Sequence, residues 1–232
     1  MNTIPIENIA FLLFPTIVVG YFYFKWLGNS KEIAFATLRM VAQLLLIGYV
    51  LDFLFRKDSA VIGIAIVTFM IAASSLIAFR SFKSKTLINY AHVFSSIAVG
   101  GTFNLLIVLF VVLDLDSIYL PKIMIPLAGM IYATAMNAVA IAAERFQNEI
   151  ISKSYEDARF FAFKAAMIPQ VNALLAVGLV SLPGMMTGQI LSGISPLVAV
   201  RYQIVVMAMV LGSAGISTIL FLIWQKKKNQ ID

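Results

Sequence analysis

Few side chains in this sequence can do chemistry, and most of them stand inside apolar runs. Arg39 and Gln43 are four residues apart in "TLRMVAQLLLIGYVL", so on a helix they share one face. An arginine at the centre of a membrane helix costs about 2.5–3.5 kcal/mol, so it must meet the protein interior, water or a partner. It can also snorkel to the nearer interface, and both readings stay open. Asn104 lies one turn beyond Gly100, and Asn137 ends the small-residue stripe Gly129, Ala133, Asn137. Such stripes let two backbones approach and offer an amide for bonding between helices. The densest cluster is "GLVSLPGMMTGQILSGISP", residues 178–196. It places Pro183, Gly184, Met185, Met186, Thr187, Gly188 and Gln189 between two strongly apolar stretches, and Gln203 follows nearly two turns into the second. Thioethers suit soft metals, although methionine is also a flexible apolar filler. His92 is the sole histidine and there is no cysteine. A multi-histidine or thiolate metal centre within one chain, a disulfide and a cysteine nucleophile are therefore excluded. No arrangement of base, nucleophile and oxyanion donors marks a hydrolase, and the phosphate-binding pattern GxxxxGK[ST] is missing.

The elements that hold these residues are set by composition. Of 232 residues, 61% are hydrophobic and 12% charged, against about 25% charged in soluble domains. Apolar runs approach or exceed the roughly 20 residues that cross a bilayer core. They are continuously apolar, whereas barrel strands alternate. The expectation is an all-α integral membrane protein with about seven transmembrane helices, a single polytopic domain over 1–232. The runs are Ile9 to Trp26, Ile33 to Leu54, Ala60 to Phe79, Ala91 to Leu113, Ile123 to Ala143, Ala165 to Leu182 and Leu197 to Trp224. Met1 to Ala10 lacks Lys and Arg and carries Glu7, so the first run is expected to be a retained helix, not a signal peptide.

Basic residues orient the spans. One set of flanks holds Lys25, Lys31, Arg80, Lys83, Lys85, Arg145, Lys153, Arg159, Lys164 and Lys226 to Lys228; the other holds Arg56, Lys57, Lys122 and Arg201. The richer side is expected to be cytoplasmic, with the N-terminus outside and the C-terminus inside. This distribution accounts for the net charge of +6 without nucleic acid as a partner. The segment 183–196 then forms an outer Gly/Pro-rich turn or gate. Pro183 is expected to stop the sixth span, with Gly184 and Gly188 opening turns closed to other residues. Residues 144–164 form a cytoplasmic connection free of Gly and Pro, about 30 Å long if wholly helical.

The run from Gly178 to Ile204 strongly resembles the ABC-type permeases related to the bacterial iron-export permease FetB and the plant aluminium-sensitivity membrane proteins. "RMVAQLLLIGYVL" from Arg39 and "IPLAGMIYATAMNAVA" from Ile125 agree with it. The resemblance covers most of the chain. It implies a multi-pass permease subunit of the bacterial cell membrane that moves a metal ion such as iron outward. It also implies a homodimer paired with a separate cytoplasmic ATPase, so that ATP binds the partner and no cofactor or catalytic residue belongs to this chain. Arg39, Gln43, Asn104, Asn137, residues 183–189 and Gln203 would line the pathway or gate. Glu156, Asp157, Arg159, Phe160 and Phe161 would dock the ATPase. Two features depart from the family. The cytoplasmic connection is shorter, and Ala133-Thr134 stands where members usually carry Gly-Asn. An alternative is thus a membrane scaffold or regulator that kept the fold and lost coupling.

The charge asymmetry makes a direct prediction in this cysteine-free chain. Ser154→Cys and Thr187→Cys are expected to react with an impermeant maleimide from opposite faces of the membrane. Labelling of both from one face overturns the topology.

Overall fold

A computed structural model describes residues 5–28, 30–55, 59–115 and 120–228. Among these residues the regular elements are helices: α1 Ile6–Ala10, α2 Leu13–Leu27, α3 Ser30–Phe55, α4 Ala60–Phe79, α5 Leu87–Leu106, α6 Pro121–Glu149, α7 Tyr155–Ala176, α8 Gly184–Leu191 and α9 Pro196–Lys228. They fall into two compact units, Met1–Lys57 and Asp58–Asp232. Arg56, Lys57 and the C-terminal residues 229–232, used above to orient the chain, lie outside the described residues.

In the first unit, α2 ends where Gly28 takes a left-handed φ of 72° and its N–H bonds the Phe24 carbonyl. The chain turns there into α3, and the Tyr23 hydroxyl donates to Glu32 Oε2 at 2.8 Å across the turn. No residue of α2 is buried, and none of the apolar window of α3 is buried either. These apolar surfaces have hydrocarbon or other protein as their only favourable neighbours.

The second unit is organised around α6, which packs against α4, α5, α7 and α9. Five of its fourteen buried residues are alanine: Ala128, Ala135, Ala138, Ala142 and Ala143. In lipid there is no hydrophobic gain on helix association, so close backbone approach and van der Waals contact must hold helices together. Small side chains permit that approach. The clearest case is the crossing of α5 and α9. A Cβ added at Gly100 would overlap the Ser217 backbone, and one at Gly212 would overlap the Asn104 amide. Asn104 Nδ2 donates to the Gly100 carbonyl at 2.9 Å, so the amide is satisfied within its own helix while it fills the crossing. Buried hydroxyls follow the same rule. Ser74, Ser75 and Ser96 donate back to Met70, Ile71 and Val93 carbonyls at 2.7–2.9 Å.

Among the described residues, five helical segments are long and apolar enough to cross a bilayer: Lys31–Leu51, Ala60–Phe79, Leu87–Val112, Pro121–Glu149 and Pro196–Lys226, with the shorter apolar helix Leu13–Leu27. The remaining apolar run differs from the sequence reading at both ends. α7 starts at Tyr155, well before Ala165, because Ser154 caps it and accepts from Asp157 N–H. It stops at Ala176, before Pro183, because Gly178 adopts a φ of 81°. The Ala176 carbonyl then gathers the N–H groups of Leu179, Val180 and Ser181. The connection from Glu144 to Lys164 is not one helix either. α6 ends at Glu149, and a turn over 150–154 separates it from α7.

The α5–α9 crossing supplies a stability test. Gly100→Ala is expected to cost about 1–3 kcal/mol as an overpacked site, lowering the melting midpoint in detergent by roughly 2–4 °C per kcal/mol. Gly215→Ala, where an added Cβ meets nothing within 4 Å, is expected to leave the midpoint unchanged. Equal effects would show that the crossing is not tightly packed.

Candidate functional site

The segment that follows α7 builds a small structure of its own. Pro183 stands immediately before α8, with a φ of −61° and an extended ψ. It therefore opens a helix instead of closing one, as suits a residue without an N–H. Thr187 Oγ1 donates to the Pro183 carbonyl at 3.2 Å, near the Leu182 carbonyl at 3.5 Å. Ser192 Oγ donates to the Gly188 carbonyl at 2.8 Å. Gly184 and Gly188 lie in the helix, and an added Cβ would meet nothing within 4 Å at either. The turns instead use Gly178 and Gly193, whose φ values are 81° and 91°. The freed backbone at both ends of α8 is thus answered by neighbouring hydroxyls and turns, as hydrocarbon requires.

α8 packs on α9 and contributes to two cavities. One, of about 520 Å³, is lined by Met186 from α8 and by Gln203 and Met207 from α9, with Gly178 and Leu182 completing it. The other, of about 360 Å³, receives Met185 and Gln189 from α8, Lys122 and Pro126 from α6, and Tyr202 from α9. Val108 closes this second cavity from a six-residue π-helical stretch, Ile107–Val112, that continues α5. Wide turns of this kind recur at functional sites. Each cavity holds a glutamine whose carbonyl oxygen is buried with no partner among the described residues, Gln203 in the first and Gln189 in the second. Gln203 is only 5% exposed. No Asp or Glu lines either cavity, and the described residues include no group of three His, Cys, Asp or Glu able to hold a metal. The first cavity offers thioether sulfur and amide oxygen, which are uncharged donors, and the second adds the Tyr202 hydroxyl and the Lys122 ammonium to the same pair.

The structure therefore brings Met185, Met186, Gln189 and Gln203 together around α8. It does not bring Asn104 or Asn137 to either cavity. Asn104 is buried in the α5–α9 crossing, and Asn137 is exposed on α6. Arg39 and Gln43 are exposed on α3 in the first unit. Three lining residues escaped sequence reasoning: Lys122, Tyr202 and Met207. Lys122 stands four residues before Pro126, and Tyr202 and Met207 flank Gln203. Those spacings were readable, but Lys122 had been assigned to topology alone.

The opposite, basic end of the second unit is knitted by charge. Glu149 is buried and pairs with Arg145 at 2.5 Å and with Lys153. Lys153 Nζ lies 4.4 Å over the Phe161 ring, with Arg145 at 5.9 Å. The Tyr155 hydroxyl donates to the Leu222 carbonyl of α9 at 2.8 Å, and burial raises its pKa above the usual tyrosine value, so it stays protonated and keeps this bond. Ser154 Oγ donates to Asp157 Oδ2 at 2.8 Å. The expected docking residues consequently divide between two faces. Phe161 belongs to the Glu149 cluster. Arg159 and Phe160 belong to a groove against α9. Between them the turn presents Ile151, which is 76% exposed and was not foreseen.

The family described as "Uncharacterised protein family (UPF0014)" matches residues 6–158 and 149–229. The two matched stretches meet at the α6–α7 turn. The "Probable iron export permease protein FetB" of Escherichia coli (strain K12) is 33% identical over 233 residues, covering 92% of this chain and 88% of that protein. The "UPF0014 membrane protein YjkA" of Bacillus subtilis (strain 168) is 30% identical over 210 residues, covering 83% of this chain and 82% of that protein. "Protein ALUMINUM SENSITIVE 3" of Arabidopsis thaliana is 29% identical over 230 residues, covering 92% and 83%. No solved structure matches.

The lone buried amide oxygen of Gln203 gives a prediction. An unpartnered buried polar group costs about 1–3 kcal/mol. Gln203→Met, similar in volume and apolar, is expected to raise the melting midpoint. An unchanged or lower midpoint shows that the amide is satisfied in the folded protein.

Proposed function

The chain belongs to the UPF0014 family, and from that premise we propose that this multi-pass membrane protein is the permease subunit of an ABC transporter. The observation that carries the reading is identity along nearly the whole length of relatives, one of which bears the name of an iron export permease. In this reading α2 to α7 and α9 make seven spans, with the N-terminus outside and the C-terminus in the cytoplasm. The permease is a homodimer that works with a cytoplasmic ATPase, and ATP is bound and hydrolysed on that partner. The substrate is a metal ion such as iron, moved outward.

Donor chemistry around α8 supports a transit path over a storage site. A path must bind well enough to admit its substrate and weakly enough to release it. Carboxylate or thiolate ligands would hold an iron ion tightly. Thioethers of Met185, Met186 and Met207 and the carbonyls of Gln189 and Gln203 hold it loosely. Pro183, Gly184 and Gly188 belong to this gate as its backbone. Arg39 and Gln43, exposed on α3, are assigned a pathway role on their chemistry and shared helix face alone, the alternative being a snorkelling arginine.

Coupling to the ATPase is assigned to the turn over 150–154. Ile151 is an exposed apolar tip held on a rigid base, because Glu149 ties Arg145 and Lys153 beneath it. Glu156 and Asp157 supply a polar rim, and such exposed charges contribute only about 0–1 kcal/mol each. A buried apolar anchor dominates such contacts. The scaffold reading draws on the same turn: its brevity leaves little surface for a partner.

Affinity purification from the native membrane separates these readings. The wild-type chain is expected to carry ATPase activity with it, and Ile151→Asp is expected to lose at least about tenfold of that activity, as for loss of a central anchor. Phe160→Ala, on the other face, is expected to retain it. Absence of ATPase from the wild-type preparation rejects the permease in favour of the scaffold. Equal activity in all three rejects the turn as the docking point.

A further inference from the structure

The basic end carries a second feature that the coupling surface does not use. α7 and α9 leave a groove of about 420 Å³ between them. Its walls are apolar: Phe160 and Phe163 on one side, Ile219 and Ile223 on the other. Arg159 and Lys164 stand on the same groove, and both are exposed. Unlike Arg145 and Lys153, which share Glu149, neither meets a carboxylate among the described residues. Glu156 is one turn away from Arg159, yet no ion pair joins them. The cations rest on aromatic rings instead. Arg159 Cζ lies 5.5 Å from the Tyr155 ring centre and Lys164 Nζ lies 5.9 Å from that of Phe160. Lys226 adds a third positive charge, its Nζ 5.6 Å from the centre of the same Tyr155 ring.

We propose that this groove binds one anionic glycerophospholipid, with an acyl chain between α7 and α9 and the headgroup phosphate on Arg159 and Lys164. The level is right for a headgroup. Tyr155 and Trp224 mark an aromatic belt of the kind found at membrane interfaces, and α9 ends in Lys226 to Lys228 just beyond. From there Ile223 and Ile219 lead one turn after another toward the interior of the span. A zwitterionic lipid would fill the apolar part equally well and carries the same phosphate, but its choline sets a further positive charge beside Arg159 and Lys164 and cancels the net attraction. Basic clefts between membrane helices on the cytoplasmic side select anionic headgroups for this reason. The lipid would also fix the angle between α7 and α9, which the single Tyr155–Leu222 hydrogen bond now spans.

Native mass spectrometry of the full-length chain, released from detergent micelles, tests the assignment. With phosphatidylglycerol and phosphatidylcholine offered in equal amounts, one phosphatidylglycerol adduct per chain is expected, favoured roughly thirtyfold, the factor two cations contribute near an anionic lipid. Arg159→Gln with Lys164→Gln is expected to erase the preference, and Arg145→Gln, whose charge is already paired, to keep it. Ile219→Trp fills the groove without touching the cations and is expected to lose the adduct even where the double variant folds poorly. Equal retention of both lipids overturns the proposal. So does equal binding of free glycerol 3-phosphate, which would reveal an anion site without a chain. So does an adduct that survives Ile219→Trp, or a double variant that changes oligomeric mass and not lipid retention, which would make the groove a contact between copies.

Discussion

Hydrocarbon offers no hydrogen bonds, and that single deficit shapes this chain from end to end. Every backbone N–H and C=O at membrane depth must find its partner within the protein. Long helices answer the requirement along most of the sequence. Where the helix stops, the chain answers it locally. Ala176 takes three turn N–H groups on one carbonyl, Thr187 bonds back to Pro183, and Ser192 bonds back to Gly188. The same constraint folds the buried serines of α4 and α5 back onto their own helices. Against that background an unpartnered amide is conspicuous. Gln189 and Gln203, like Ser217, Thr218 and Gln225, keep a buried polar atom with no hydrogen-bond partner among the described residues, and these two glutamines open onto cavities beside α8.

The packing follows from the same solvent. Leucine gains nothing by leaving lipid for another leucine, so the bundle is held by fit. α6 uses alanine against four neighbours, and α5 and α9 cross where Gly100 and Gly212 remove the side chains that would hold them apart. The large apolar residues are then left for the exterior. Phe69, Leu76, Val99, Phe103, Ile204 and Ile223 are all exposed, an arrangement that water would penalise and hydrocarbon does not.

Much of this was legible in the sequence, and the limits have physical causes. The spans were visible because hydropathy over some 20 residues is a sum that single errors cannot overturn. The Gly100–Asn104 spacing pointed to close packing, and at the α5–α9 crossing Gly100 meets Ser217 and Asn104 meets Gly212. Helix ends were less legible. Pro183 looked like a stop signal, but a proline halts the helix it would enter from within and equally well starts the next one. Only the left-handed φ of Gly178, which the sequence cannot reveal, decides between these. The break after Glu149 was hidden for a related reason: residues 150–154 hold no Gly or Pro, and a serine cap with an aspartate three residues on can begin a helix within a helix-compatible stretch. Met185 and Gln189 could be paired by spacing alone. Lys122 and Tyr202 could not, because they reach the same cavity from helices far apart in the chain.

The two ends of the second unit differ in their electrostatics, and under the permease reading proposed above each suits its place in a gated path. At the basic end, the charges around the α6–α7 turn are used in pairs, while Arg159 and Lys164 on the α7–α9 groove are not. Glu149, Arg145 and Lys153 lock the α6–α7 turn, and Tyr155 pins α7 to α9. Motion applied to that turn would be carried into both helices and not absorbed by a loose loop. At the α8 end, the donors are neutral, Lys122 apart, and the cavities are roomy. A charged ligand would deepen the binding well there and also require a buried countercharge when the site stood empty. Uncharged sulfur and amide oxygen avoid both difficulties: the empty site costs only a few unsatisfied dipoles, and the occupied site is shallow. The asymmetry therefore needs no large conformational change to be useful. A modest tilt of α9, transmitted from its fixed end, would alter the spacing between Gln203 and Met186 on its neighbour α8, and a shallow site is emptied by a small loss of contact.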